Sequence, residues 1–149
     1  MANCPGKNAN AVSELAIGLI LAIDRRTAEG IMMLKSGHWN KGMFANCRGI
    51  KGRTIGLIGF GNIAKLVCKA ALALEMNVMV HTRTRHAGLD EELGFTYADL
   101  DQLLTESDIV SVHTPKTPQT VGMVNEEFLA KMKPDGMLIN TSRGDVVNE

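Results

Sequence analysis

The chain has 149 residues, the size of one domain, and a compact fold of that length buries about two thirds of the surface its unfolded chain exposes. Lys plus Arg number 16 and Asp plus Glu number 16, so no basic surplus draws the protein to nucleic acid or anionic lipid, and small-molecule partners are the expectation. Cys4, Cys47 and Cys68 are scattered and lack zinc spacing, so they read as reduced thiols of a cytoplasmic protein with no metal centre; the apolar run from Leu15 to Ile23 falls far short of the ~20 residues that span a bilayer, and no basic segment precedes it as a signal peptide would require.

From Asn10 to about Glu29 the pattern predicts one long helix, with Val12, Leu15, Ala16, Leu19, Ile20 and Ile23 at helical spacing. Ile17 and Leu21 lie off that stripe, so the helix is apolar nearly all round and calls for cover on several sides, from its own domain or from a second subunit. Lys35 to Arg53, rich in glycine and polar residues, reads as a loop region.

Alternating units follow. Thr54 to Ile58 reads as a short apolar strand, and Asn62 to Leu74 as a helix with Ile63, Leu66, Val67, Ala70 and Leu74 inward. Val78 to His81 is a second buried strand, and Phe95 to Tyr97 a weak one. Asp99 is placed to cap a helix over Leu100 to Glu106, and Asn125 to cap one that starts at Glu126. Ile109 to Val112 and Met137 to Asn140 complete the strands. Met32, Met33, Met76, Met79 and Met123 are expected to fill the core. Continuous apolar strands separated by helices imply a parallel sheet covered on both faces, a Rossmann-type, doubly wound α/β fold with a long N-terminal helix.

Gly59-Phe60-Gly61-Asn62-Ile63-Ala64 fits the pattern G-x-G-x-x-G/A. A tight strand-to-helix turn uses glycine pairs for packing alone, so the context decides, and here the motif sits between a predicted strand and a predicted helix. Gly59 permits the turn, Gly61 lets the backbone approach a pyrophosphate, and the N–H groups of Asn62 and Ile63 open the helix toward it. The end of the second strand chooses the dinucleotide. An acid about 20 residues beyond the glycines would bind the ribose hydroxyls of NAD. This chain instead reads His81-Thr82-Arg83-Thr84-Arg85-His86. Thr82 and Arg83 suit the 2′-phosphate of NADP, which a guanidinium holds bidentately, so the expected cofactor is NAD or NADP with NADP favoured; a solvated basic loop is the alternative.

These motifs together resemble those of the D-isomer-specific 2-hydroxyacid dehydrogenases, from end to end of the chain. Asn3-Cys4-Pro5-Gly6-Lys7-Asn8 is similar to the family's crossover into its cofactor domain, and Gly37-His38-Trp39 to its Gly-x-Trp element. Ser107 to Pro115 and Ile139 to Val147 are similar to its two signature stretches. Cys4 to Asn8 and Asp24-Arg25-Arg26 look most like the phosphoglycerate dehydrogenase branch, which acts at the head of serine synthesis. Glyoxylate or hydroxypyruvate reductase stands close behind, because Thr82-Arg83-Thr84-Arg85 resembles the NADP-using members. Thr82 stands where the family carries its NAD-binding acid.

The resemblance implies hydride transfer between C2 of a small 2-hydroxy or 2-keto acid and a nicotinamide. It gives Arg143 the role of the catalytic, substrate-orienting arginine, and puts His113, Thr114 and Pro115 with Thr141 and Ser142 along the cofactor cleft. The family's acid/base histidine and its glutamate partner are expected downstream of Arg143, and its substrate domain outside this chain, so residues 1–149 are read as a dinucleotide-binding domain cut from a longer enzyme. Glu149 fits the acid after the Val-Val pair. A homodimer through the first helix is expected, since family members pair through this domain. Two alternatives remain: a dinucleotide-sensing binding protein without catalysis, and another Rossmann class such as a methyltransferase.

Overall fold

In a computed structural model, which describes residues 6–148, five strands form one sheet: β1 (Thr54–Ile58), β2 (Asn77–His81), β3 (Thr96–Tyr97), β4 (Ile109–Val112) and β5 (Met137–Asn140). Asn3, Cys4 and Pro5 of the crossover segment and Glu149 fall outside the described residues. The strand order is β3-β2-β1-β4-β5 and every pair is parallel. Helices α1 (Ala9–Asp24) and α3 (Asn62–Ala73) cover one face, and α5 (Leu100–Glu106) and α6 (Glu126–Lys131) cover the other. The doubly wound α/β fold is as the sequence predicts. No helix among the described residues is long and apolar enough to cross a membrane.

Alternation along the strands divides the core in two. Ile55, Leu57, Val78, Val80, Ile109 and Ile139 pack under α1 and α3, while Ile58, Met79, Val110 and Val112 pack under α5 and α6. Gly56 faces the second layer. A Cβ there would stand 2.4 Å from Leu103 Cδ2 and 2.5 Å from Ser107 Oγ, so the absence of a side chain is what lets α5 press onto β1. Asp99 and Asn125 cap their helices as expected, accepting hydrogen bonds from Gln102 N–H (2.8 Å) and Phe128 N–H (2.9 Å).

The first helix departs from its prediction. It ends at Asp24, and α2 (Thr27–Lys35) starts after a break at Arg26, whose φ of 51° lies in the left-handed region. The break has an electrostatic cause that no glycine or proline announces. The Asp24 carboxylate is buried, accepting from Gly49 N–H (3.0 Å) and from the Arg53 guanidinium (3.2 Å), and Arg26 turns to donate to the Met43 carbonyl (3.1 Å). The loop follows α2 from Lys35, as expected, and contains a short 3-10 turn at Lys41–Phe44.

The buried stripe of α1 also differs. Ala9, Ser13, Ala16, Ile20 and Asp24 face inward, with Ile17 and Leu21 packed beside them, because small residues let α1 approach α3 closely. Leu15, Leu19 and Ile23, on the predicted apolar stripe, are exposed at 55%, 38% and 48%. Met32, expected in the core, is exposed with Ile31 on α2, so both helices carry exposed apolar side chains. Met76 and Met79 are buried as expected. Leu74 is exposed rather than inward because α3 stops at Ala73 and the chain turns at Glu75, where φ is 58°. A helix the sequence did not announce, α4 (Leu89–Leu93), lies between Gly88 and Gly94, both left-handed. β3 starts at Thr96, leaving Phe95 as a core side chain.

Candidate functional site

Because all strands are parallel, β1, β2, β4 and β5 deliver their carboxyl ends to one rim. The order reverses between β1 and β4, and in open parallel sheets a crevice for ligands forms at that point. Gly59 leaves β1 with φ of 87°. A Cβ at this position would lie 2.8 Å from the His113 carbonyl oxygen, so glycine is needed both for the turn and for the contact between the ends of β1 and β4. Gly61, by contrast, has open space where a side chain would be. It is the N-cap of α3, and no side chain caps this helix, unlike α5 and α6. The first-turn N–H groups at Asn62, Ile63 and Ala64 thus point at the rim without a side-chain acceptor from the cap, carrying the positive end of a 12-residue helix.

Beside this turn the structure brings together seven of the predicted site residues. Ile63, His113, Thr114, Pro115, Thr141, Ser142 and Arg143 line a cleft of about 520 Å³. Gly61, Asn62, Ile63 and His113 line an adjoining depression of about 200 Å³. The hydroxyls of Thr114 and Thr141 are buried without a protein partner. Such groups cost stability unless something accepts or donates to them, which fits a polar ligand in the cleft. Arg143 is exposed at the lip, its guanidinium donating to the Ser142 carbonyl at 2.8 Å. Thr82 and Arg83 do not line this cleft. They follow β2 on the other side of the glycine turn, to which β2 is tied by Gly59 N–H donating to the His81 carbonyl at 2.8 Å.

Two residues that the sequence reading passed over shape the site. Asn140 ends β5 and folds the next three residues around its side chain: Oδ1 accepts from Ser142 N–H (3.0 Å) and Ser142 Oγ (2.7 Å), and Nδ2 donates to the Arg143 carbonyl (2.9 Å). An Asn just before Thr-Ser-Arg-Gly was a legible turn signal. Thr120 does the same for the loop after Pro115, its hydroxyl donating to the Pro115 carbonyl (2.7 Å) and accepting from Thr117 N–H (2.8 Å).

Lys116, which lines the cleft, forms an ion pair with Asp145, leaving Arg143 as a cation there without an ion-pair partner among the described residues. His113 pairs through Nε2 with Ser111 Oγ at 2.9 Å, and burial pushes its imidazole down to about 4, so it is neutral near pH 7. Burial likewise pushes the Cys68 thiol up to about 11, leaving it protonated and inert.

Comparison with known proteins places this geometry. A family model described as D-isomer specific 2-hydroxyacid dehydrogenase, NAD binding domain, matches residues 17–149. Glyoxylate reductase of Thermococcus litoralis is 41% identical over 98% of this chain and 46% of its own length. D-3-phosphoglycerate dehydrogenase of Archaeoglobus fulgidus is 35% identical over 99% of this chain and 28% of its own. The chain thus spans about half the length, or less, of these relatives. Among solved structures, an acyclic imino acid reductase in complex with NADPH and D-Arg superposes with a TM-score of 0.88 at 33% identity, covering 99% of this chain and 47% of that one.

The neutral His113 makes stability depend on pH with a definite sign. Its folded value lies below the ordinary 6.5, so as pH falls from 6.5 toward 4 the unfolded chain takes up a proton that the folded chain refuses, and stability is lost in that window. Urea denaturation at pH 7 and near pH 4.5 is expected to show a loss about 2 kcal/mol larger for the wild type than for His113→Gln. Identical losses in the two proteins would show that His113 is not held neutral by burial.

Proposed function

The chain belongs to the D-isomer-specific 2-hydroxyacid dehydrogenases through their NAD-binding domain, and from that premise we propose that it holds the dinucleotide for hydride transfer at C2 of a small 2-keto or D-2-hydroxy acid. The observation that carries this reading is the uncapped start of α3 at the β1/β4 crevice. Gly59 makes the turn and Gly61 leaves the approach clear, and the N–H groups of Asn62 and Ile63 donate to the pyrophosphate. Thr114 and Thr141 offer their buried hydroxyls to the nicotinamide half, with His113, Pro115 and Ser142 shaping the wall. A nicotinamide bound there would supply or accept the hydride. Arg143 orients the substrate carboxylate and polarises its C2 oxygen with a fixed positive charge.

Between the two branches that the sequence brings forward, we put reduction of glyoxylate or hydroxypyruvate ahead of phosphoglycerate oxidation. Relatives named glyoxylate reductase and hydroxypyruvate reductase reach 41% identity, against 35% for relatives named D-3-phosphoglycerate dehydrogenase. The cleft agrees chemically. Arg143 matches one carboxylate, while Lys116, the other cation at the mouth, is neutralised by Asp145 and so adds little attraction for a substrate phosphate. The exposed apolar residues of α1 and α2, Leu15, Leu19, Ile23, Ile31 and Met32, are assigned to a contact with a second copy of the chain.

For the cofactor, the 2′-phosphate of NADPH is assigned to Arg83, which is exposed beside Thr82 at the end of β2, where no acid stands to repel it. Fluorescence titration with NADPH, NADH and S-adenosylmethionine tests this. NADPH is expected to bind most tightly, and Arg83→Ala to weaken NADPH by roughly tenfold or more while NADH changes less than about twofold, as loss of one charge-assisted contact predicts. Equal losses would remove the NADP assignment; binding of S-adenosylmethionine alone would remove the dinucleotide reading. Sedimentation velocity addresses the assembly: the wild type is expected to sediment as a dimer and Leu19→Glu with Ile23→Glu as a monomer. A monomeric wild type at micromolar concentration would contradict it.

A further inference from the structure

Between β2 and α4 the chain runs through Thr82 to Gly88 without regular structure, yet part of that stretch is held. His86 N–H donates to the Tyr97 hydroxyl at 3.1 Å, and the same hydroxyl donates to the His86 carbonyl at 3.4 Å. The Arg85 guanidinium lies over the Tyr97 ring, 5.4 Å from its centroid, a cation–π arrangement. Arg83 is exposed and enters no ion pair among the described residues.

Tyr97 is itself fixed from below. It meets Phe95 edge-on, with centroids 4.9 Å apart and planes at 86°, and Phe95 packs against Phe60 at 4.6 Å and 53°. Phe60 is the residue between Gly59 and Gly61. β3 contributes only two residues to the sheet, so the three-ring stack is a side-chain link between the glycine turn and the loop that follows β2.

We propose that Tyr97 is a positioning residue for dinucleotide selection: it engages Arg85 and pins the main chain at His86, so that Arg83 alone among the two arginines is presented to the 2′-phosphate, at a distance from the pyrophosphate turn set by the Phe60–Phe95–Tyr97 stack. This rests on the NADP reading above. It assigns the two arginines different work, one anchoring the loop and one meeting the ligand.

Calorimetric titration with 2′,5′-ADP and with 5′-AMP reads the phosphate contribution directly, without substrate or turnover. The wild type is expected to prefer 2′,5′-ADP, and Arg83→Ala to abolish the preference. Tyr97→Phe keeps the ring and removes the hydroxyl; it is expected to weaken 2′,5′-ADP roughly three- to tenfold, as loss of a neutral hydrogen bond implies, with 5′-AMP changed less than about twofold. Tyr97→Leu also removes the cation–π contact, and a larger selective loss is expected. The double variant Arg83→Ala with Tyr97→Phe is expected to bind no more weakly than Arg83→Ala, because Tyr97 acts through Arg83. Equal weakening of both nucleotides by the Tyr97 variants, an unchanged preference in them, or loss of the preference in Arg85→Ala but not in Arg83→Ala would overturn the proposal while leaving NADP selection standing. A wild type that does not prefer 2′,5′-ADP would instead overturn the NADP reading, and this proposal with it.

Discussion

The backbone of Gly59 against the carbonyl of His113 is the contact on which the rim depends. It joins the carboxyl ends of β1 and β4 where the strand order reverses, and no residue with a Cβ fits there without moving one strand from the other. That closeness sets where α3 starts. With Gly61 as its N-cap, the helix has no side chain to satisfy its first N–H groups, and the positive end of its dipole is directed at the crevice. The residues that carry the proposed chemistry are placed relative to this one junction.

Around it, the protein spends few residues on rigid support. Asn140 folds the Thr141–Arg143 turn by three hydrogen bonds, and Thr120 braces the loop beyond Pro115. Burial keeps His113 neutral, so the ring, paired with Ser111 Oγ, carries no charge to repel Arg143. On the opposite side, Phe60 ties the glycine turn to Phe95 and Tyr97. The crevice is thus a rigid floor flanked by short loops. Arg143 stands exposed at the lip of the cleft, and Arg83 is exposed just after β2, on the other side of the glycine turn.

How far the sequence disclosed this depended on the physics behind each feature. The parallel sheet was legible because strands buried on both faces leave continuous apolar runs, and the caps at Asp99 and Asn125 because a short acceptor side chain before a helix has one common use. The glycine turn and the Thr141–Arg143 stretch were legible as local motifs. Their meeting with His113 and Thr114 in one cleft follows from topology, to which the resemblance to a known family pointed. What was hidden is long-range. The break after Asp24 comes from an ion pair with Arg53 across 29 positions, and the inward face of α1 is chosen by how closely α3 approaches, which favours Ala9, Ser13 and Ala16 over the larger leucines. Tyr97 carried no signal at all, since a lone tyrosine in a weak strand acquires its role only when the loop before α4 folds back onto it.

The central claim is that the amides opening α3 receive a diphosphate. Backbone amide spectra of ¹⁵N-labelled protein titrated with NADPH test it at the atoms concerned. The account predicts that the Asn62, Ile63 and Ala64 resonances are among those that move most, saturating together with those of Gly59 and Thr114. If the nucleotide binds while those amides stay in place, or if their resonances are indifferent to it at saturating concentration, the turn is a packing device and the dinucleotide lies elsewhere or nowhere on this domain.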